Sequence, residues 1–126
     1  MKRTQLLEKV KSRKTQMGMT LDNISKLSQL GNRTVVRFFS GEDVKLSTLE
    51  KITNIMGLDF AGNETIDVKT LKENRAKEKA LYIVSLVQDT SALEMQGLES
   101  RELNNLIEET KNEFLYGAYQ KNLWAS

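Results

Sequence analysis

The fold of this chain is decided by the stretch Thr20–Gly41, which has the sequence TLDNISKLSQLGNRTVVRFFSG. Its apolar residues recur at the three- and four-residue spacing of a helix face, and this spacing breaks once in the middle. The stretch therefore predicts two short helices joined by a tight turn at Leu30 and Gly31. We expect Gly31 to adopt a backbone angle that other residues resist.

The first of these two helices begins after Thr20, whose hydroxyl suits an N-cap. Asp22 follows in the first turn, where the helix dipole favours negative charge. Ser25 and Ser28 are small side chains at positions where a second helix would cross closely. The apolar face of the helix carries Leu21, Ile24 and Leu27.

The second helix is expected over about 32–39, with Val35 and Phe38 pointing inward and Gly41 ending it. Phe39 is expected to be partly buried. The outer face is left to Asn32, Arg33, Val36 and Arg37.

Two further helices are expected on either side of this pair. Residues 47–50 (Ser-Thr-Leu-Glu) form a capping-box pattern, which predicts a helix from there to Gly57 with its buried stripe at Leu49, Ile52, Ile55 and Met56. A first helix over about 4–16 would point Leu6, Leu7 and Val10 inward. Its remaining surface is expected to hold the basic residues Lys2, Arg3, Lys9, Lys11, Arg13 and Lys14.

Residues 19–38 resemble, without gaps, the helix-turn-helix of the Xre family, the Cro/CI-like repressors. Gly41 and the helix expected over 47–58 continue the match, which covers about half of the chain. The resemblance implies an all-α protein with a Cro/CI-like helix-turn-helix repressor domain over 1–62.

Three positions depart from the family pattern. Leu21 stands where the family often has a glutamine that hydrogen-bonds a phosphate. Gln29 and Gly31 stand where a glycine and then a serine or threonine are usual. The departures concern the phosphate contact and the turn, not the fold.

The resemblance also implies which side chains contact DNA. Asn32, Arg33 and Arg37 correspond to positions that face base edges in the major groove. Arginine can bind guanine O6 and N7 with two hydrogen bonds, asparagine can do the same to adenine, and Val36 could touch a thymine methyl. The alternative for each is an ordinary surface side chain. Phosphate contacts, which position a protein without specifying sequence, are expected from Thr20, Thr34 and Lys45.

The charge distribution agrees with a polyanion-binding N-terminal half. The formal net charge of +2 conceals 14 basic against 9 acidic residues in 1–75, a balance of +5, and 5 against 8 in 76–126, a balance of −3. Residues 1–37 alone carry nine basic and two acidic side chains. A basic region that coincides with a helix-turn-helix is typical of DNA binding.

The chain has no proline, cysteine or histidine. The lack of proline suits long helices. Without histidine and cysteine the common nucleophilic triads, imidazole bases and zinc-thiolate sites cannot be built, so we expect no enzyme, no metal site and no cofactor. The longest apolar run, at 80–84, has five residues, which favours a cytoplasmic protein without a membrane span or secretory signal.

The second half of the chain is expected to be a helical extension over 70–126, after a linker at 63–69. Residues 65–68 alternate and could form a short strand or only a linker. Residues 70–73 form a second capping-box pattern that would open a helix to about Gln96, broken by Gly97. Ser100 would cap a last helix to about Leu115. The apolar set of the long helix is Ala76, Ala80, Leu81, Ile83, Val84, Leu86, Val87, Ser91, Leu93 and Met95.

The C-terminal residues 115–126 hold two of the three tyrosines and the only tryptophan. Such an aromatic terminus either packs back on its own chain or docks on a partner. Candidate partner contacts are Tyr119, Leu123 and Trp124.

Two functions therefore stay open: a transcriptional repressor that binds double-stranded operator DNA as a homodimer, and an antitoxin that neutralises a cognate toxin through its C-terminal half and represses its own operon.

Overall fold

The computed structural model describes the backbone of residues 3–93 and 100–125, and this part of the chain consists of helices joined by turns and loops. The only β pairing there is an isolated antiparallel bridge between Leu58 and Glu64. The prediction of an all-α fold is therefore confirmed. The helices are α1 (Arg3–Met17), α2 (Leu21–Ser28), α3 (Asn32–Phe39), α4 (Leu46–Ile55), α5 (Val68–Leu93) and α6 (Ser100–Tyr116), followed by the short 3-10 helix η1 (Gln120–Asn122).

The described chain divides into two compact units. The first unit extends to Leu71 and also includes Trp124, while the second runs from Lys72 to Leu123. The expected linker at 63–69 is part of the first unit. There the N–H groups of Thr65 and Ile66 both donate to the carbonyl of Gly57, at 2.8 and 3.2 Å. The alternating residues 65–68 form no strand.

The first unit has an apolar core to which α1, α2, α3 and α4 all contribute. The inward residues follow the expected helical spacing, and each fully buried aliphatic side chain contributes about 1.5–3 kcal/mol. Leu6 and Val10 are buried as predicted, and Leu7 is half-buried. The core consists of Leu6, Val10, Met17, Met19, Ile24, Val35, Phe38, Ile52, Met56 and Leu58.

The first four helices end in the same way, with one residue in the left-handed conformation. This residue is a glycine after α1, α3 and α4, but after α2 it is Gln29, with φ 59°. The N–H groups of Gln29 and Leu30 donate to the carbonyls of Lys26 and Ser25, which closes the Schellman motif. The expectation for Gly31 was wrong, because its φ is −66° and ψ is 149°, ordinary extended values.

The predicted start of α2 is confirmed. The hydroxyl of Thr20 accepts from the backbone N–H of Asn23 at 3.0 Å, and the Asn23 side-chain oxygen accepts from the Thr20 N–H at 3.0 Å. This reciprocal pair satisfies two N–H groups that a helix start would otherwise leave to solvent.

The two other predicted capping boxes were wrong, because in both cases the helix begins earlier. The N–H of Leu49 donates to the carbonyl of Lys45 at 3.1 Å, which closes the first turn of α4 with Ser47 already inside it. The α5 helix begins at Val68, and the carboxylate of Asp67 accepts from the Thr70 N–H at 2.8 Å. Aspartate caps at least as well as threonine.

The second unit is built on a stripe of small residues in α5. Ala76, Ala80 and Val84 are buried at four-residue spacing, and Phe114 of α6 is buried as well. Leu81 and Leu86, expected beside this stripe, are exposed. Part of the expected apolar set and the break at Gly97 lie outside the described residues or side chains, namely Val87, Ser91, Leu93, Met95, Gln96 and Gly97.

Candidate nucleic-acid interface

The α3 helix has one buried face and one exposed face. Val35 is fully buried and Phe38 nearly so, whereas Val36 is 47% exposed. The four side chains predicted to face bases are all exposed and follow one another at i, i+1, i+4 and i+5, which places them on one side of the helix. These residues are Asn32, Arg33, Val36 and Arg37.

Two small polar side chains of α2 form hydrogen bonds within the helix and the turn that follows it. The Ser25 hydroxyl donates to the carbonyl of Leu30 at 2.6 Å, which ties the helix to its own turn. The Ser28 hydroxyl donates to the carbonyl of Ile24 at 2.5 Å. Both serines are buried, as their small size predicted. Because the polar atoms are satisfied locally, the two helices can pack without leaving an unpaired buried group.

The two arginines of α3 differ in their surroundings. Arg37 forms an ion pair with Glu42, with 3.6 Å between Arg37 Nε and Glu42 Oε2. Among the described residues, Arg33 has no ion pair. Glu42 is a neighbour of the candidate interface that the sequence analysis did not identify. The signal was available, since Glu42 directly follows the glycine that ends α3.

Phe39 is half-buried, as expected. Its ring meets the ring of Phe38 edge-on, with centroids 5.1 Å apart and an interplanar angle of 86°. This is a favourable aromatic geometry. The pair anchors the C-terminal end of α3, next to Arg37.

The three predicted phosphate contacts all lie in the first unit. Thr20 and Lys45 are exposed, and Thr34 is half-buried. The oxygen of Thr20 is occupied as the acceptor of the cap, so its O–H remains as a donor toward solvent. Thr20 and Lys45 each stand immediately before the first residue of a helix, α2 and α4. A helix start carries unsatisfied N–H groups and a positive dipole end, which suits a phosphate oxygen.

Arg13 does not belong to the exposed basic surface on which the sequence analysis placed it. Its side chain is 4% exposed. Nε donates to the carbonyl of Met56 at 2.8 Å, Nη1 binds the carboxylate of Glu64 at 2.7 Å, and Nη2 donates to the carbonyl of Ile66. This guanidinium therefore fastens α1 to the segment after α4, using the rigid set of donors that arginine provides.

The remaining described cations of α1 stay near the surface. Lys9 and Lys11 are exposed and Lys14 is half-buried. Lys9 Nζ lies 3.5 Å from the carbonyl of Ala61, a weak contact that leaves the charge in solvent. Among the described side chains of this helix, the surface positive charge therefore comes from these lysines and not from Arg13.

Of the three residues predicted to contact a partner, two are buried within the chain. The indole N–H of Trp124 donates to the carbonyl of Met17 at 2.7 Å, at the C-terminal end of α1. That carbonyl is one of the groups that a helix end leaves unsatisfied. Leu123 is also buried, whereas Tyr119 is 47% exposed. Of the two alternatives for the aromatic terminus, packing on its own chain therefore describes Leu123 and Trp124.

Within the second unit, the terminal segment is held by two cations of α5. Arg75 Nε donates to the carbonyl of Leu123 at 3.0 Å, and Lys79 Nζ donates to the carbonyl of Asn122 at 2.5 Å. Burial of the ammonium, together with the nearby charge of Arg75, lowers the pKa of Lys79. The ring of Tyr119 packs against that of Phe114, with centroids 5.4 Å apart.

The described side chains include no group of three or more Asp, Glu, His or Cys that could hold a metal ion. No helix in the described part of the chain combines the length and apolar character needed to cross a bilayer. No family model matches the chain, and no curated protein or solved structure matches it either. A function has therefore to be argued from the geometry of α2 and α3.

Proposed function

We propose that the first unit is a helix-turn-helix domain of the Cro/CI-like type and that the protein is a sequence-specific transcriptional repressor. In this proposal α3 enters the major groove of double-stranded DNA, and the protein acts as a homodimer. The observation that supports it best is the division of α3 into two faces. Asn32, Arg33 and Arg37 are exposed on one side, while Val35 and Phe38 fix the other side in the core.

The dimensions and chemistry of α3 suit this role. An α-helix with its side chains is about 10–12 Å in diameter, which fits the major groove at about 12 Å wide. Two guanidinium groups on the exposed face provide donors for guanine O6 and N7, and the Asn32 amide can donate to adenine N7 and accept from adenine N6. In this proposal the Thr20 hydroxyl, at the start of α2, donates to a phosphate, which would set the register of α3.

The proposal is tested by selecting bound sequences from a random duplex library with the full-length chain. Gel shifts then compare the selected duplex with random DNA. Arg33→Ala and Arg37→Ala should each weaken binding to the selected duplex by about 1–3 kcal/mol and change binding to random DNA far less. Lys45→Ala is the control, because the loss of a predicted phosphate contact should weaken binding to both duplexes alike. Failure to enrich any sequence would contradict the proposal.

Salt provides a second readout on the same protein. If exposed lysines and arginines displace counterions, the logarithm of the affinity should fall linearly with the logarithm of the salt concentration, by about 0.9 per phosphate neutralised. Arg13 should not contribute to this slope, because its guanidinium is buried and paired. A flat response would contradict an electrostatic DNA interface.

An observation in the second unit favours the alternative function, an antitoxin that binds a cognate toxin and represses its own operon. Five large side chains are exposed in its described part: Leu81, Tyr82, Leu86, Tyr116 and Tyr119. Tyr82 and Leu86 lie about one helical turn apart on α5, and an exposed apolar patch is typical of protein–protein contact sites. Co-purification of the native chain would distinguish the two functions. A repressor alone should sediment as a homodimer, whereas an antitoxin should carry a second protein that a Tyr82→Glu, Leu86→Lys variant loses.

A further inference from the structure

The turn that ends α3 places Glu42 beside Arg37. Gly41 adopts φ 89°, and its N–H donates to the carbonyl of Phe38 at 3.1 Å. The N–H of Glu42 donates to the carbonyl of Arg37, also at 3.1 Å. This is the Schellman arrangement, in which the side chains of these two positions commonly meet as an apolar pair. Here the two positions hold opposite charges instead.

We propose that Glu42 is a positioning residue that selects which edge of the Arg37 guanidinium faces DNA. This inference rests on the proposed function. The carboxylate of Glu42 lies 3.6 Å from Arg37 Nε, on one edge of the planar group. The opposite end, with Nη1 and Nη2, is left for a base. Two parallel N–H donors are what a guanine edge requires for a bidentate contact.

The turn keeps the two residues of this exposed ion pair close together. The backbone hydrogen bond from Glu42 to Arg37 fixes the relative position of their backbones, so only side-chain freedom is lost when the carboxylate meets the guanidinium. Arg33, on the same face of α3, has no ion pair among the described residues. Within the described part of the chain, α3 thus carries one ion-paired arginine and one arginine without an ion pair.

A carboxylate beside a DNA-binding face also has a cost. Glu42 is about half exposed, at 56%, and would repel nearby phosphates. Replacing it with glutamine should therefore strengthen binding to random DNA while weakening discrimination. A residue that affected only general affinity would change the affinities for random DNA and for the selected duplex in the same direction. The test is therefore whether Glu42→Gln raises the affinity for random DNA and lowers the ratio of selected to random affinity.

The experiment repeats the random-duplex selection with the unmodified chain and with Glu42→Gln, Glu42→Asp, Arg37→Ala and Arg33→Ala. Glu50→Gln on α4 is the matched control, because it makes the same chemical change at another exposed glutamate. Circular dichroism and melting of each variant verify that the fold is retained. Arg37→Ala identifies the base position that depends on Arg37, and Arg33→Ala identifies an internal reference position.

We expect Glu42→Gln to relax the preference at the Arg37-dependent position alone. The ratio of selected to random affinity should fall about two- to fivefold, the range expected for an exposed ion pair. Glu42→Asp should restore part of the ratio, and Glu50→Gln should leave it unchanged. If Glu42→Gln selects the same sequence with the same ratio as the unmodified chain, the inference is wrong and the proposed function stands. If the unmodified chain enriches no sequence, both fail together.

Discussion

The stretch 20–41 and the chain end at 117–125 differ in the sequence separation of the residues that their polar contacts join. The ties of the first region join close neighbours: Thr20 with Asn23, Ser25 with Leu30, and Arg37 with Glu42. At the chain end, Trp124 reaches back 107 residues to Met17, and Leu123 is bound by Arg75, 48 residues away. Closing a longer loop costs more chain entropy, so a distant tie has to be supported by burial. Substitutions at buried, distant ties should therefore cost more stability than substitutions at local, exposed ones.

Trp124→Ala should have the largest effect. The indole is 7% exposed and its N–H is bonded to the carbonyl of Met17, so the substitution removes a large buried surface and leaves an acceptor unpaired. We expect a loss of about 3–4 kcal/mol, within the range for buried tryptophan. Urea denaturation followed by far-ultraviolet circular dichroism measures it.

Tyr116→Ala is the control for this prediction. Tyr116 lies in the same C-terminal region but is 76% exposed, so its loss should change the free energy of unfolding by less than about 0.5 kcal/mol. Equal effects of the two substitutions would mean that Trp124 contributes no more than any aromatic near the terminus. The expectation that buried, distant contacts contribute more stability than local, exposed ones would then be wrong.

Arg13→Ala should cause the next largest loss in the free energy of unfolding. The change leaves the carbonyls of Met56 and Ile66 without the donors that the buried guanidinium provides. We expect a cost of about 2–3 kcal/mol, with Glu64 adding little because its side chain is half exposed. Lys9→Ala, on the same helix, should cost less than about 0.5 kcal/mol. Trp124 fluorescence follows unfolding of the first unit in both variants, and similar midpoints would contradict the assignment of Arg13 as a structural residue.

The local part of the fold could be predicted from the sequence. The helices at 21–28 and 32–39 and the Thr20 cap depend on residues within one or two turns of each other, so spacing and capping preferences determine them. The starts of α4 and α5 were misplaced because the capping-box patterns at 47–50 and 70–73 were taken as helix starts, whereas α4 begins after Lys45 without a side-chain cap and α5 begins after Asp67. Asp67 and Thr70 are three residues apart, and only the closed first turn decides between them.

The distant part could not be predicted. Nothing in the sequence distinguishes Arg13 from the lysines around it, because its burial depends on carbonyls 43 and 53 residues away. The burial of Trp124 likewise requires the position of Met17. In the candidate interface the exposed residues of α3 followed from helical periodicity, whereas the ion pair with Glu42 required the turn geometry that Gly41 produces.

A smaller effect, of opposite sign, is expected at a local position. Gln29 has a left-handed conformation, which costs a residue with a side chain about 1–2 kcal/mol. Glycine avoids this cost, but part of the gain is lost because glycine has more conformational freedom in the unfolded chain. Gln29→Gly should therefore stabilise the first unit by about 0.5–1 kcal/mol. Gln29→Ala keeps the strain and should give no gain. Thermal melting of both variants decides the point, and stabilisation by alanine as well would show that strain at this residue is not the cause.

The smallest expected effect is a pH dependence at the start of α5. The hydrogen bonds that Asp67 accepts, first from the side chain and then from the backbone of Thr70, lower the pKa of its carboxyl group. A pKa lowered by folding means that the ionised group adds stability above its ordinary titration range and that this contribution is lost as the pH falls through the lowered pKa. Asp67→Asn keeps a capping oxygen but does not titrate. The unmodified chain should therefore be more stable than this variant near neutral pH, and the difference in stability should disappear on acidification.

Melting temperatures of the two proteins, measured from about pH 7 down to about pH 3, provide the test of the Asp67 cap. Asp59 titrates in the same direction, because the backbone N–H of Asn63 lowers the pKa of its carboxyl group, so Asp59→Asn serves as the comparison. If the Asp67 cap acts only locally, the difference in melting temperature caused by Asp67→Asn should disappear in acid both in the unmodified background and in the Asp59→Asn background. An advantage of the unmodified chain over Asp67→Asn that persists unchanged into acid would mean that the charge of Asp67 does not stabilise the start of α5.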